Sequence, residues 1–172
     1  KNEIVNRLFN QLYSTGSDTI NKFQIKRYSN LINNFKKKFK DNFNEDDLYI
    51  FSTPGRTEIG GNHTDHNNGR VIAASIDLDS IACACKNNSN TVHIYSEGFK
   101  EPFIVDITEL KILNKEAGTT NSLIRGIAYK LNELNYNIGG FNAYITSNVL
   151  SGSGLSSSAS IEVLIDTIFN GL

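Results

Sequence analysis

Between residues 54 and 69 the chain reads Pro-Gly-Arg-Thr-Glu-Ile-Gly-Gly-Asn-His-Thr-Asp-His-Asn-Asn-Gly. A guanidinium, two imidazoles, carboxylates and several amides are crowded here between two apolar stretches. Gly55, Gly60, Gly61 and Gly69 permit turns and close approaches that residues with side chains resist. Arg56, His63 and Asp65 could then converge on a small ligand rich in hydroxyls or charge. A carboxylate at Asp65 can accept hydrogen bonds from two hydroxyls. Each residue also has a plainer use. Arg56 could pair with Glu58 or another surface carboxylate, Asp65 could close an Asx turn, and His63 or His66 could simply pack. The spacing His63-x-x-His66 beside Asp65 lacks the further ligand that a zinc site requires.

A second polar segment, Leu150-Ser-Gly-Ser-Gly-Leu-Ser-Ser-Ser-Ala-Ser160, precedes a helical pattern carried by Ile161, Val163, Leu164, Ile165 and Ile168. A helix N-terminus presents unpaired N–H groups and partial positive charge. Glycines ahead of it let a phosphate reach the backbone, and serine hydroxyls add donors or a magnesium ligand. No Gly-Lys-Ser or Gly-Lys-Thr closes the segment, so it is not a Walker loop. Ser-rich turns also cap helices for structural reasons alone.

Taken together, the two segments resemble the galactokinases, within the superfamily that includes homoserine, mevalonate and phosphomevalonate kinases. The family pattern Gly-Arg-x-Asn-x-Ile-Gly-Glu-His-x-Asp-Tyr-Asn-x-Gly is matched at Gly55, Arg56, Gly61, His63, Asp65, Asn67 and Gly69. Asn62 stands at the family's Glu position and His66 at its Tyr position. Residues 152–160 resemble the family's ATP loop, with Leu150 in place of its Pro, and the resemblance runs from about Tyr28 to Leu172. Phe35 and Phe39 resemble the Phe-x-x-x-Phe helix before the family's first strand.

The resemblance implies ATP and Mg²⁺ as cofactors and phosphorylation of galactose at its anomeric hydroxyl. Arg56 would serve the catalytic electrostatics, and Asn62, His63 and Asp65 would bind sugar. Gly152, Ser153, Gly154, Leu155, Ser156, Ser157 and Ser158 would cradle the nucleotide phosphates. Ser158 would meet the magnesium, with Glu162 as a second candidate. The family's acidic base and third glycine-rich motif fall beyond Leu172, so the stretch resembles an N-terminal domain whose partner is its own C-terminal domain, and it is expected to be inactive alone. Asn62 and His66 keep a second hexose open, such as N-acetylgalactosamine. A non-catalytic sensor of sugar and ATP is the alternative outside the enzymes.

These segments need elements to hold them. Ile4, Val5, Leu8, Phe9, Leu12 and Tyr13 predict a short helix over 3–13, and Ser, Thr and Gly break it at 14–19. Tyr28, Leu31, Ile32, Phe35 and Phe39 predict a second helix, with Lys36, Lys37 and Lys38 on its solvated side. Strands are expected at 48–53, 71–76, 80–85, 92–97, 103–106 and 141–149, and a helix at 121–135. Residues 1–45 read as an N-terminal helical segment and 46–172 as the kinase domain bearing both ligand segments. The expected class is α+β, a mixed sheet with helices on one face, of the ribosomal protein S5 domain 2-like type that the resemblance implies.

With 172 residues, 39% of them apolar and 20% charged, the chain can bury a substantial core. A net charge of −1 offers no electrostatic case for nucleic acid or a membrane surface. No apolar run approaches the roughly 20 residues of a membrane helix. The opening Lys-Asn-Glu-Ile is no signal peptide, so a cytoplasmic location is expected. Cys83 and Cys85 lack a second pair and are expected to be buried free thiols.

Overall fold

The structure is a computed structural model that describes residues 18–40, 43–61, 68–149 and 157–172. The helix expected over 3–13 lies outside the described residues. Helix α1 spans Asp18–Phe39. Arg27, Leu31, Phe35 and Phe39 recur every four residues and are all buried, the stripe a 3.6-residue period places on one face. Lys36, Lys37 and Lys38 fill its last turn, where cations favour the helix dipole, and Lys40 follows with φ of 47°. Within the stretch 14–19, expected to interrupt helical structure, Asp18 and Thr19 instead begin this helix, and residues 14–17 lie outside the described residues.

Five strands form one sheet: β1 (Tyr49–Gly60), β2 (Ile72–Lys86), β3 (Thr91–Ser96), β4 (Phe103–Asp106) and β5 (Phe141–Ser147). Their spatial order is β1-β2-β5-β3-β4. All pairs are antiparallel except β3 with β5, so the sheet is mixed, as expected. Helix α2 covers Thr120–Glu133 and α3 covers Ser157–Gly171.

One face of the sheet carries Ala82, Ala84, Val92, Ile94, Phe141, Ala143 and Ile145, packed against Ile124 and Ala128 of α2 and Leu164, Ile165 and Ile168 of α3. The alternate residues Ile81, Cys83, Cys85 and Tyr144 meet Leu31, Phe35 and Phe39 of α1 on the other face. The α+β class holds, with the arrangement extended: α2 and α3 share one face, and α1 covers part of the opposite one. The seven residues 79–85 are buried without alternation, the mark of a strand covered on both sides. Cys83 and Cys85 are buried free thiols. Burial, reinforced by each thiol's acidic neighbour (Cys85 for the first, Asp47 for the second), pushes them up to about 12 and 11. They remain protonated and inert.

Two strand expectations need correction. The first strand does not end at Thr53 but continues to Gly60. β1 is an edge strand, so Pro54, lacking an N–H, costs it no ladder bond. The strands expected at 71–76 and 80–85 are one strand that bends. Pro54 pairs with Asp79 but Arg56 with Ser75, so β2 spends two more residues than β1 on this interval. The bulge lets an extended backbone pass through Asp77-Leu78 without a turn.

Candidate functional site

Arg56 and Glu58 project from the same side of β1, two residues apart. Arg56 Nη2 donates to Glu58 Oε1 at 3.0 Å. The first of the plainer alternatives for Arg56 is therefore realised. Its guanidinium is nonetheless 53% exposed, and an ion pair this open to water contributes about 0–1 kcal/mol. A ligand oxyanion can compete with Glu58 for it at little cost.

The two glycines that frame Arg56 have steric reasons to be glycine. A Cβ on Gly55 would lie 3.1 Å from Ile76 Cδ1 and from both Val149 γ-carbons. Val149, two residues after β5 and immediately before residue 150, thus packs directly on the first signature glycine. Gly61 has φ of +87°, and a Cβ there would come within 2.2 Å of the Arg70 carbonyl oxygen. That closure brings the two ends of the signature loop together. Asn62, His63, Asp65 and His66 lie outside the described residues, as do Gly152, Ser153, Gly154, Leu155 and Ser156.

The described end of the phosphate segment is the first turn of α3. Ser157 and Ser158 line a cleft of about 530 Å³ with Glu97, Gly98, Thr119, Val149 and other residues. Thr119 caps α2 by accepting from Ser122 N–H, so the N-termini of α2 and α3 both open into this cleft. Converging N–H groups and hydroxyls suit an anion such as a phosphate chain. Glu162 follows Ser158 by one turn and is exposed, lining the neighbouring groove between α2 and α3 with Lys130 and Asp166. Among the described residues no cluster of three or more His, Cys, Asp or Glu could hold a metal by itself.

Ser160 escaped the reading of the sequence, where it closed a serine run without a role. It is buried and cross-links the site. Thr53 Oγ1 donates to the Ser160 carbonyl at 2.9 Å, and Ser160 Oγ lies 2.8 Å from Ser80 Oγ, itself 2.8 Å from Ser147 Oγ. Helix α3 is thereby pinned to β1, β2 and β5 beside both ligand segments. On the far side of the sheet, buried Asp79 accepts from Ser52 Oγ at 2.7 Å and pairs with Arg27 of α1. Neither Arg27 nor Asp79 belongs to a recognisable motif; helical spacing puts Arg27 on the buried face of α1, but nothing local pairs it with Asp79.

Comparison with known proteins places this architecture first in a class. The fold matches the crystal structure of a mevalonate kinase from Methanococcus jannaschii with a TM-score of 0.60, at 24% identity over 74% of this chain and 41% of that one. It matches the Lactococcus lactis galactokinase complexed with galactose with a TM-score of 0.69, at 30% identity over 82% of this chain and 38% of that one. The fold is that of the galactokinase, homoserine, mevalonate and phosphomevalonate kinase superfamily. Within that class the galactokinase galactose-binding signature covers residues 35–86. A galactokinase of Lacticaseibacillus casei is 35% identical over 137 residues, 79% of this chain and 35% of its own length. The chain is a relative of the galactokinases and spans about a third of the length of the curated relatives it matches.

Proposed function

We propose that this chain forms the sugar- and nucleotide-binding part of a kinase that phosphorylates galactose at its anomeric hydroxyl. The observation that carries the reading is the contact of Gly55 with Val149. It holds the start of the sugar signature against the residue from which the phosphate segment departs. ATP bound with Mg²⁺ supplies the transferable phosphoryl group. The first turn of α3, with half-buried Ser157 and exposed Ser158, is suited to hold its phosphates in the cleft shared with Thr119. Ser158 is the hydroxyl we assign to Mg²⁺, with Glu162 one turn further along the same helix. Residues 152–156 complete the cradle.

Arg56 exchanges Glu58 for the charge that develops between sugar and phosphate, the electrostatic role phosphoryl transfer demands. Asp65 and His63 bind sugar hydroxyls, assisted by Asn62. The acidic base and the remaining wall of the cleft come from the part of the kinase these residues do not span, its own C-terminal domain. Among the described residues no helix is long and apolar enough to cross a membrane, and we assign the kinase to the cytoplasm. Asn62 and His66, in place of the family's Glu and Tyr, favour a second reading in which the hexose is N-acetylgalactosamine.

ADP production by the complete kinase with ATP, Mg²⁺ and a hexose panel tests the proposal. Turnover that depends on galactose is the expected result. Turnover with N-acetylgalactosamine alone would reassign the sugar. Saturable sugar and ATP binding with no turnover would make the protein a sensor and overturn the enzymatic reading.

A further inference from the structure

Asp79 ties the strands that lead into the two ligand segments to each other, to the sheet bulge and to α1. Its carboxylate accepts from Arg27 Nη1 and from Ser52 Oγ, the latter at 2.7 Å. Its carbonyl accepts from Arg27 Nη2 at 2.8 Å and from the backbone N–H of Asn148 at 3.0 Å. Ser52 lies two residues before Pro54, where the sugar signature opens. Asn148 lies two residues before Leu150, where the phosphate segment opens. Asp79 itself pairs with Pro54 at the edge of the bulge.

We propose that Arg27 and Asp79 are positioning residues that fix the separation of the sugar segment from the phosphate segment, an inference that rests on the kinase reading above. A buried ion pair is weak evidence for stability, because apolar residues of similar volume usually serve as well or better. What apolar contacts cannot supply is direction. Four hydrogen bonds converging on one residue fix the first half of β1 and the exit of β5 relative to each other and to α1. In-line transfer demands that geometry, since a displacement of about 1 Å can cost on the order of 10²-fold in rate. Neither residue is assigned a contact with sugar or nucleotide.

The test uses the complete kinase and separates stability from rate. The double variant Arg27→Met/Asp79→Leu removes both charges together, so it leaves no orphaned ion and is expected to melt close to wild type. Its kcat should fall about 10–100-fold while KM for galactose and for ATP stays within about 3-fold. A folded double variant with wild-type kcat would overturn the inference. Should the double variant not fold, Ser52→Ala removes one of the four bonds without stranding a charge. It should lower kcat several-fold at an unchanged melting temperature, and unchanged kcat would again refute the role. If wild type itself shows no hexose-dependent turnover, the kinase reading fails, and the pair is judged on binding alone. A non-hydrolysable ATP analogue should then change galactose affinity about 5-fold or more in wild type and leave it unchanged in the double variant. Equal coupling in both proteins, or none in wild type, would refute it.

Discussion

Gly61 shows how one residue can be dictated by the space around it. Its φ of +87° and the 2.2 Å approach to the Arg70 carbonyl leave no room for a Cβ. Gly61→Ala should therefore lower unfolding free energy by at least about 2 kcal/mol, combining backbone strain with a backbone clash. Chemical denaturation measures this, and an unchanged midpoint would show that the loop relaxes freely. Arg56 and Glu58 make the complementary case, in which the pair seen in the structure is expendable. Arg56→Ala should reduce kcat of the complete kinase by roughly 10²-fold, whereas Glu58→Ala should stay within a few-fold. Equal losses would mean that the exposed pair has a structural role instead. At this scale the sequence singled out the glycines, because glycines spaced among charges are a local signal, but it did not separate Gly55 and Gly61 from Gly60, where a Cβ would meet nothing within 4 Å. It could not show that Arg56 stands on a strand, because Pro54 and Gly55 read as turn formers until β1 is known to be an edge.

Elements carry the next level of information, and here most of the unread residues lie. The start of α3 is fixed by hydroxyls, since buried Ser160 bridges Thr53 and Ser80. Ser160→Ala should cost about 1 kcal/mol by removing the Oγ bond to buried Ser80, which keeps Ser147 as a partner, and the loss should be matched by weaker nucleotide retention. Calorimetric unfolding with and without an ATP analogue reads both. Helix α1 docks through Phe39, which packs edge-on to His93 and Tyr95 at 5.3 and 5.4 Å, with Lys38 above the Tyr95 ring. Among the described residues His93 Nε2 is buried without a partner, and burial holds its pKa below the usual 6.5. A group whose folded pKa is depressed contributes stability above its unfolded pKa and loses it as pH falls. Stability should thus decline as pH drops below about 6.5, and His93→Phe should flatten that limb of the pH profile. A variant with the same pH dependence as wild type would place the titration elsewhere. The helical stripe of α1 was legible from its four-residue spacing. Its target was not, because nothing local told that Cys83 and Tyr144 face away from α2 and α3.

For the molecule as a whole, the α+β class followed from strands running early with amphipathic helices to pack on the sheet, and from two ligand segments in family order. The continuous strand Ile72–Lys86 was read as two pieces, because polar Asp77 and Asp79 within an apolar run imitate a turn. Only the pairing with β1 identifies that interval as a bulge. The same bulge brings Asp79, Ser52 and Asn148 together, so the feature least visible in sequence is the one that joins the two ligand segments. The account stands on those segments forming one site. A crystal structure of the complete kinase with galactose and a non-hydrolysable ATP analogue would test this most directly. The anomeric oxygen should lie about 3–3.5 Å from the γ-phosphorus, with Arg56 turned from Glu58 toward the gap between them. Sugar and nucleotide bound in separate places, with Arg56 still on Glu58, would contradict it.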